Sequence, residues 1–531
     1  MLPSLGVAAL PQEQVRLTAS QASAQDNWGH RAAVDGNVAV FTTPLYPTGP
    51  DQDDPDIRKG AATIHVRSGT SWYEQAFLSP ASLDPGDEFG FAAAVSGNTV
   101  AIGAPYDDTE GTDTGAVYIY TRSGSTWTLQ ETLTVSTVAS GGAFGSSVAL
   151  DGDTLVIGAM ADDVFQNRDG SAYVFVRSNG VWSQQAKLMG SAPEAHRLLG
   201  RSVDISGDHI AVGASGHDHA ALHAGAVYVF ERSGTTWAQE AFLTASDAQA
   251  GDELGYDVAI DGSTVIAGAP YQDTWAGTAY IFREDGSGWS QEAKLKPTDP
   301  SDWDLFAFSV DVEGGIALIT AHGYDNHATD DPNVGAAYVF TRSGTVWAQE
   351  SRFTHDDQDR YHTFARNAAL SGTRALVTAP GDDASGSDAG AGFIYTLDAV
   401  PQPDEEVKRS QDDGGSGGDA SDDPTDPTPM ASGGMTSGGI TVLDFNGTLI
   451  PTQDTIDAYG VRIGAGETDV LNFSIQAPNG YDLALRLLDP DGTQVDEGDE
   501  RGLGGTEHVE HGTSGTPLEE GVWVLVVEVV P

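Results

Sequence analysis

The sequence predicts an all-β protein: a seven-bladed β-propeller with four-stranded blades, closed by its own N-terminal strand and followed by a flexible linker and a small β-sandwich or jelly-roll domain. Three observations lead there. An aromatic residue or Leu followed by Gly or Ala occurs seven times, as Trp28-Gly29, Phe89-Gly90, Phe144-Gly145, Leu199-Gly200, Leu254-Gly255, Phe306-Ala307 and Phe364-Ala365. Fourteen residues after the first member of each pair stands the centre of a Gly-Ala-Pro-like element: Thr42, Gly103, Gly158, Gly213, Gly268, Thr320 and Thr378. Spacings between copies are 61, 55, 55, 55, 52 and 58 residues, the period of one supersecondary unit repeated around an array.

Within each unit, the stretch between the two markers holds two apolar-alternating runs split by a tight turn. That turn is Asp35-Gly36, Ser96-Gly97, Asp151-Gly152, Ser206-Gly207, Asp261-Gly262, Glu313-Gly314 or Ser371-Gly372. Glycine suits a two-residue hairpin because it tolerates positive φ. A polar loop follows, then a third alternating run such as 115–120, a turn on Arg-Ser-Gly, and a fourth run carrying Trp72, Trp127, Trp182, Trp237, Trp289 or Trp347. Six such runs serve seven units, so the last blade lacks one. The N-terminal stretch 12–18 matches 239–244 apart from one inserted residue and supplies it. Radial closure by strands from both ends removes the exposed sheet edge. The tryptophans read as sugar-stacking platforms or, more economically, as packing between blades.

The recurrent pairing over 12–398 resembles the FG-GAP repeats of integrin α-subunit propellers and their bacterial relatives. The resemblance implies a secreted or surface binding platform in which blades are scaffold and loops carry recognition. In that family an Asp-rich loop between the first two strands holds calcium. Here the connection is the tight turn, too short to wrap a cation.

In an up-and-down blade the loops after strands two and four share one face, and the two tight turns share the other. The first set carries Asp107, Asp108, Asp162, Asp163, Asp218, Asp273, Asp325, Asp382 and Asp383 after strand two, with Asp84, Asp87, Glu88, Asp247, Asp252, Glu253, Asp356 and Asp357 after strand four. The second receives Arg67, Arg122, Arg177, Arg232, Arg283 and Arg342. One strongly negative mouth is expected. Its pairs Asp107 and Asp108, Asp162 and Asp163, and Asp382 and Asp383 offer the oxygen ligands that Ca²⁺ takes. The plainer reading is a solvated acidic surface with Asx turns. His217, His219 and His223 are close enough in sequence for a transition metal, or are simply solvated loop histidines.

Residues 399–439 are rich in Gly, Ser, Pro and Asp and cannot bury a core, which makes them an acidic tether. Residues 440–531 recover strand character at 470–475, 481–488 and 521–529. The run 481–493, the acidic segment 496–500 and the final 520–527 resemble the bacterial pre-peptidase C-terminal domain, a module appended to secreted proteins. Asp489 and Asp491 there suit either Ca²⁺ or a turn between strands.

Composition limits the function classes. The 531 residues hold 25 Lys and Arg against 78 Asp and Glu, a net charge of −53, and no Cys. Disulfides, thiolate metal sites and Cys nucleophiles are excluded, and the charge repels nucleic acid and anionic lipid. No apolar stretch is long enough to span a membrane. Residues 1–11 are apolar without a Lys or Arg and read as the remnant of a signal segment. No nucleophile elbow, zinc-helix motif or phosphate loop occurs. The expectation is a non-catalytic, monomeric binding or adhesion protein, extracellular or at the cell surface. It would present an acidic face to a protein or polysaccharide, with calcium as its one candidate cofactor. The alternative is a polysaccharide hydrolase or lyase on the same scaffold, with His355, Tyr361 and His362 in one mouth loop.

Overall fold

The computed structural model describes residues 12–21, 26–46, 59–163, 169–191, 198–325, 334–355, 363–383 and 388–397, together with strand segments between 428 and 530. The chain divides into two units, Met1–Gln402 and Pro403–Pro531.

Seven four-stranded antiparallel sheets build the first unit. Six use consecutive strands, within 31–78, 92–133, 144–188, 199–243, 258–295 and 306–353. The seventh has three strands within 368–396, and Gln12–Leu17 pairs along Ala391–Thr396 as the fourth. The expected propeller and its N-terminal closure are both present. The second strand of each blade, such as Thr99–Ala104, is buried along its length, save the first residue at His209 and Arg374, because neighbouring blades cover both its faces.

The register corrects one detail of the N-terminal match. Glu13 lies opposite Tyr395 and Val15 opposite Ile394, which leaves Gln14 as a bulge. In the fourth blade Gln239 and Ala241 flank Glu240 in the same way. The two strands therefore align residue for residue, and no insertion separates them. Every blade has this bulge between its third and fourth strands. A bulge re-aims a side chain. Gln75, Gln185, Glu240 and Glu292 are turned to accept the indole N–H of Trp127, Trp237, Trp289 and Trp347 in the next blade, at 2.8–3.0 Å. The strand-four tryptophans thus pack between blades.

The spacing of 14 has a mechanical cause. Within one blade the Gly90 N–H donates to the Gly103 carbonyl at 2.9 Å, and Gly255 to Gly268 at 3.0 Å. Between blades, the Phe89 N–H donates to the Lys59 carbonyl and that of Phe144 to Thr114. Each pair therefore staples two blades. The opposite face has its own circuit. The N–H groups of Gly36, Gly97, Gly152, Gly207, Gly262, Gly314 and Gly372 donate to the side chains of Ser371, Asp35, Ser96, Asp151, Ser206, Asp261 and Glu313 at 2.6–3.1 Å. The first residue of each tight turn holds the glycine of the next turn, all the way round.

In the second unit Gly521–Val530 pairs antiparallel with Ile456–Ile463 on one side and Asp482–Leu488 on the other, and Leu471–Gln476 pairs with Thr506–His511. The linker, nearly all of the expected sandwich's loops, and Asp489 and Asp491 lie outside the described residues.

Candidate functional site

The innermost strands of the seven blades surround a channel of about 220 Å³, lined by residues from every blade. Those strands are sheet edges, so their inward N–H groups need acceptors. On one side of the ring the preceding blade provides them. Asp204 accepts from the Ile260 N–H at 2.7 Å, Asp257 from Val310 at 3.0 Å, Asp311 from Leu370 at 2.6 Å and Asn367 from Ala32 at 2.8 Å. Asp204, Asp257 and Asp311 are half-buried in the channel wall. Burial, followed by the charge of Asp311, pushes Asp204 up to about 8. Burial likewise pushes Asp311 up to about 7, with Glu313 and Asp257 adding to it.

The channel opens on the loop face, where a second circuit lies. The residue following each repeated pair is His30, Phe91, Ser146, Arg201, Tyr256, Phe308 or Arg366. Six of these touch a neighbour in an adjacent blade. His30 lies 5.7 Å from Phe91, the Arg201 guanidinium 3.8 Å above Tyr256, Tyr256 4.9 Å from Phe308, and Arg366 4.3 Å from the Phe308 ring. Residues just beyond the second markers pack edge-to-face against them: Tyr271 on Tyr256 at 5.5 Å and His322 on Phe308 at 4.2 Å. From Tyr271 the aromatic path continues to Trp275 at 5.2 Å and on to Trp303 at 4.5 Å. Trp275 and Trp303 are 43% and 58% exposed, unusual for large apolar rings on so hydrated a surface. Both stand on strained backbone. Asp273, Thr274 and Trp275 are consecutive residues with φ of 53°, 62° and 68°, and Trp303 has φ 75°. Left-handed non-glycine residues cost on the order of 1 kcal/mol each, so a run of three is held by its surroundings. The Leu305 N–H donates to the Trp275 carbonyl at 2.9 Å, and Lys296 pairs with Asp273.

The carboxylate pairs of the loops divide between two jobs. The first member sits at one structural position in all seven blades, as Tyr46, Asp107, Asp162, His217, Gln272, Tyr324 and Asp382. Its carbonyl accepts from the glycine before strand three in every copy. Asp107 is buried and accepts from the Tyr118 hydroxyl and the Thr109 N–H. Asp162 is buried too and accepts from Ser171, Tyr173, Lys187 and the Ala139 N–H. Burial pushes Asp162 up, but those bonds, led by Lys187, outweigh it and hold the carboxyl below its usual range. Asp382 is buried and pairs with Arg16 of the closing strand. The second members Asp108, Asp163 and Asp383 are exposed. Asp108 and Asp383 each accept from the N–H five residues on, as Asp218 does from His223. The His217 ring is buried against Phe242 and Tyr228, and its Nδ1 accepts from the His219 N–H. His219 reaches the same Phe242, and His223 is the loop's left-handed residue at φ 52°. Among the described residues no three His, Asp or Glu side chains are arranged to hold a metal ion.

His355 packs on Phe364 and Phe393, while Tyr361 and His362 lie outside the described residues. On the opposite face the turn arginines reach across blades. Arg177 binds Asp153 and Thr99, Arg232 binds Asp208 and Thr154, and Arg342 grips Glu292 with two bonds of 2.8 Å. The mouth ring and the Trp275–Trp303 pair are what sequence reasoning missed. A column of the residues following each pair would have exposed the first.

Comparison with known protein families matches the FG-GAP repeat at residues 72–120, 127–175, 182–230, 237–282, 289–340 and 347–395, more than half of the chain. Each matched segment runs from the strand-four tryptophan of one blade to the third strand of the next. No curated protein matches the chain. Among the described residues no helix is long and apolar enough to cross a membrane.

Proposed function

The chain belongs to the FG-GAP repeat family, and from that premise we propose that it is a non-catalytic binding scaffold working outside the cell or on its surface, with a polysaccharide docking on the loop face. The fold is consistent with an extracellular binding platform, since the blades are consumed in holding one another and the loops are left to vary. One observation carries the choice of a glycan: Trp275 and Trp303, rings 4.5 Å apart and both exposed, on strained backbone beside the channel mouth. Exposed rings held rigid offer the flat apolar face on which a sugar's C–H face stacks, at little cost in side-chain entropy. The C-terminal module, on its resemblance to the pre-peptidase C-terminal domain, serves attachment or secretion.

A glycan array with the full chain tests this. We expect binding to at least one polysaccharide class, weakened about tenfold or more in Trp303→Ala, the loss of about 1.4 kcal/mol. Binding untouched by Trp303→Ala and Trp275→Ala overturns the platform. Release of new reducing ends from a bound polysaccharide overturns the non-catalytic reading.

A further inference from the structure

We propose that the channel mouth binds one oxyanion carried on a sugar ring, the carboxylate of a uronate or the sulfate ester of a sulfated sugar. The inference rests on the glycan reading above and names the chemistry of its ligand.

The argument begins from a shortage. Basic residues are outnumbered 78 to 25, and most of those around the propeller rim have a bonded partner: Arg177, Arg232, Arg342, Arg352, Lys187, Lys294 and Lys296 each hold a carboxylate, while Arg122 and Arg283 donate to a carbonyl and a hydroxyl. Arg31, Arg201 and Arg366 are different. They come from the first, fourth and seventh blades and converge at the channel mouth. Among the described residues none of the three has a carboxylate within ion-pair distance. The Nε of Arg201 is buried without a hydrogen-bond partner. Arg366 is pushed down to about 10, first by burial and then by the neighbouring charge of Arg31. Gathering like charges in a half-buried place costs the fold stability; Glu253 is near enough to feel the Arg201 charge but forms no ion pair with it.

The surroundings define the anion. The rings of Tyr256 and Phe308 support Arg201 and Arg366 from below, so the guanidinium planes are fixed for the forked bonds that carboxylate and sulfate accept. His30 and His322 flank them, and the Nδ1 of each is buried without a partner. Burial first, and then Arg31 and Arg366, lower His30 to about 3; burial and Arg366 do the same to His322. Both are neutral at physiological pH, each with one ring N–H donor and one acceptor, which suits hydroxyl groups better than a second charge. Outward from the arginines lie the aromatic rings Tyr271, Trp275 and Trp303, with Glu253 near Arg201 and Tyr271, and beyond them the exposed carboxylates of the face. A densely charged polyanion would meet those carboxylates. A glycan whose anionic group enters the mouth while its neighbouring ring stacks on Trp303 would not.

Calorimetric titration of the full chain with four probes tests the proposal: an oligouronate, a sulfated oligosaccharide, its unsulfated counterpart, and inorganic sulfate alone. We expect one of the two anionic oligosaccharides to bind at least about tenfold more tightly than the uncharged one. Arg201→Met and Arg366→Met keep the stem on its ring and remove the charge, and they should erase that preference. Trp303→Ala should weaken charged and uncharged sugars alike. Because removing one of three clustered charges relieves repulsion, the Met variants should melt no earlier than the parent; Arg201→Lys, which keeps charge and loses the fork, should show an intermediate preference. Equal binding of charged and uncharged sugars, lost in Trp303→Ala, overturns this inference and leaves the platform standing. Sulfate binding that no sugar ring improves overturns it in favour of a small-anion site. Failure of every oligosaccharide to bind overturns both readings.

Discussion

Asp204 and Asp311 use their carboxyls inside the channel as acceptors for the next blade's backbone, and both retain protons at pH values where an exposed Asp has none. The consequence for stability has a definite sign. Below the ordinary Asp value of 3.8 both folded and unfolded chains carry the proton, and Asp204 contributes no pH dependence. Between there and about 8 the unfolded chain has released it while the folded chain keeps it, so each step up in pH favours unfolding. Asp162, held low mainly through Lys187, acts in the opposite sense and only in acid: its contribution is present above its ordinary value and fades as pH falls. Asp204→Asn keeps an oxygen for the Ile260 N–H and cannot ionise. In urea titrations, the parent should lose stability between about pH 5 and pH 9, and Asp204→Asn should lose about 1 kcal/mol less over the same range. A variant whose pH dependence matches the parent's would show that Asp204 titrates normally in the fold.

At the scale of the element, glycines that look alike in the repeat do unlike work. Gly97, in the tight turn, has φ +57° with nothing within 4 Å of a Cβ placed on it. Gly103, in the Gly-Ala-Pro element, has ordinary backbone, but a Cβ there would lie 2.0 Å from the Gly145 carbonyl oxygen of the next blade. Gly97→Ala should cost about 1 kcal/mol, the price of a left-handed residue. Gly103→Ala should cost about 3 kcal/mol or more, since two blades must part to admit one methyl group. Chemical denaturation of the two variants checks the order, and a reversal would remove blade-to-blade contact as the reason for the motif. This difference also explains what was legible. The markers, their spacing and the closing strand could be read because all seven copies keep one geometry: at Gly103, Gly158, Gly213 and Gly268 a Cβ would lie 2.0–2.2 Å from the next blade's carbonyl oxygen, and Thr42, Thr320 and Thr378 keep the spacing without that constraint. The acceptor ring on the turns was half visible: Asp35-Gly36 and its kin announced a hairpin, but a reading confined to one repeat does not reveal that Asp35 serves Gly97. The mouth ring left no period at all. His30, Phe91, Ser146, Arg201, Tyr256, Phe308 and Arg366 occupy one position and share no chemistry, because their contacts with adjacent blades are made by different pairings of ring, imidazole and guanidinium rather than by one repeated residue. The acidic pairs recur for a reason a single repeat does not display: Asp107 and Asp162 stand where His217, Gln272 and Tyr324 do, and the feature all seven copies share is a carbonyl that accepts from the glycine before strand three.

For the whole propeller the decisive joint is the one between chain ends. Six blades are continuous in sequence and would hold their strands even if the ring opened. The seventh holds its outer strand only through the pairing of Gln12–Leu17 with Ala391–Thr396, supported by Arg16 on Asp382. With no Cys in the chain, no covalent bond backs this pairing. Removing residues 1–17 would expose the edge of Ala391–Thr396 and strip Leu17 from the cluster it shares with Phe41, Trp72 and Ile394. Because each blade is clamped to two neighbours through its turn glycine and its repeated pair, loosening the seventh also weakens its contacts with the first and sixth. The deletion should therefore lower the melting temperature of the entire propeller by several degrees, at roughly 2 °C for each kcal/mol lost, rather than release one blade ahead of the rest. A peptide spanning residues 10–20 should bind the shortened protein by strand addition and restore most of the loss. An unchanged melting temperature, with no binding of the peptide, would mean that the ring is held by its inter-blade circuits alone.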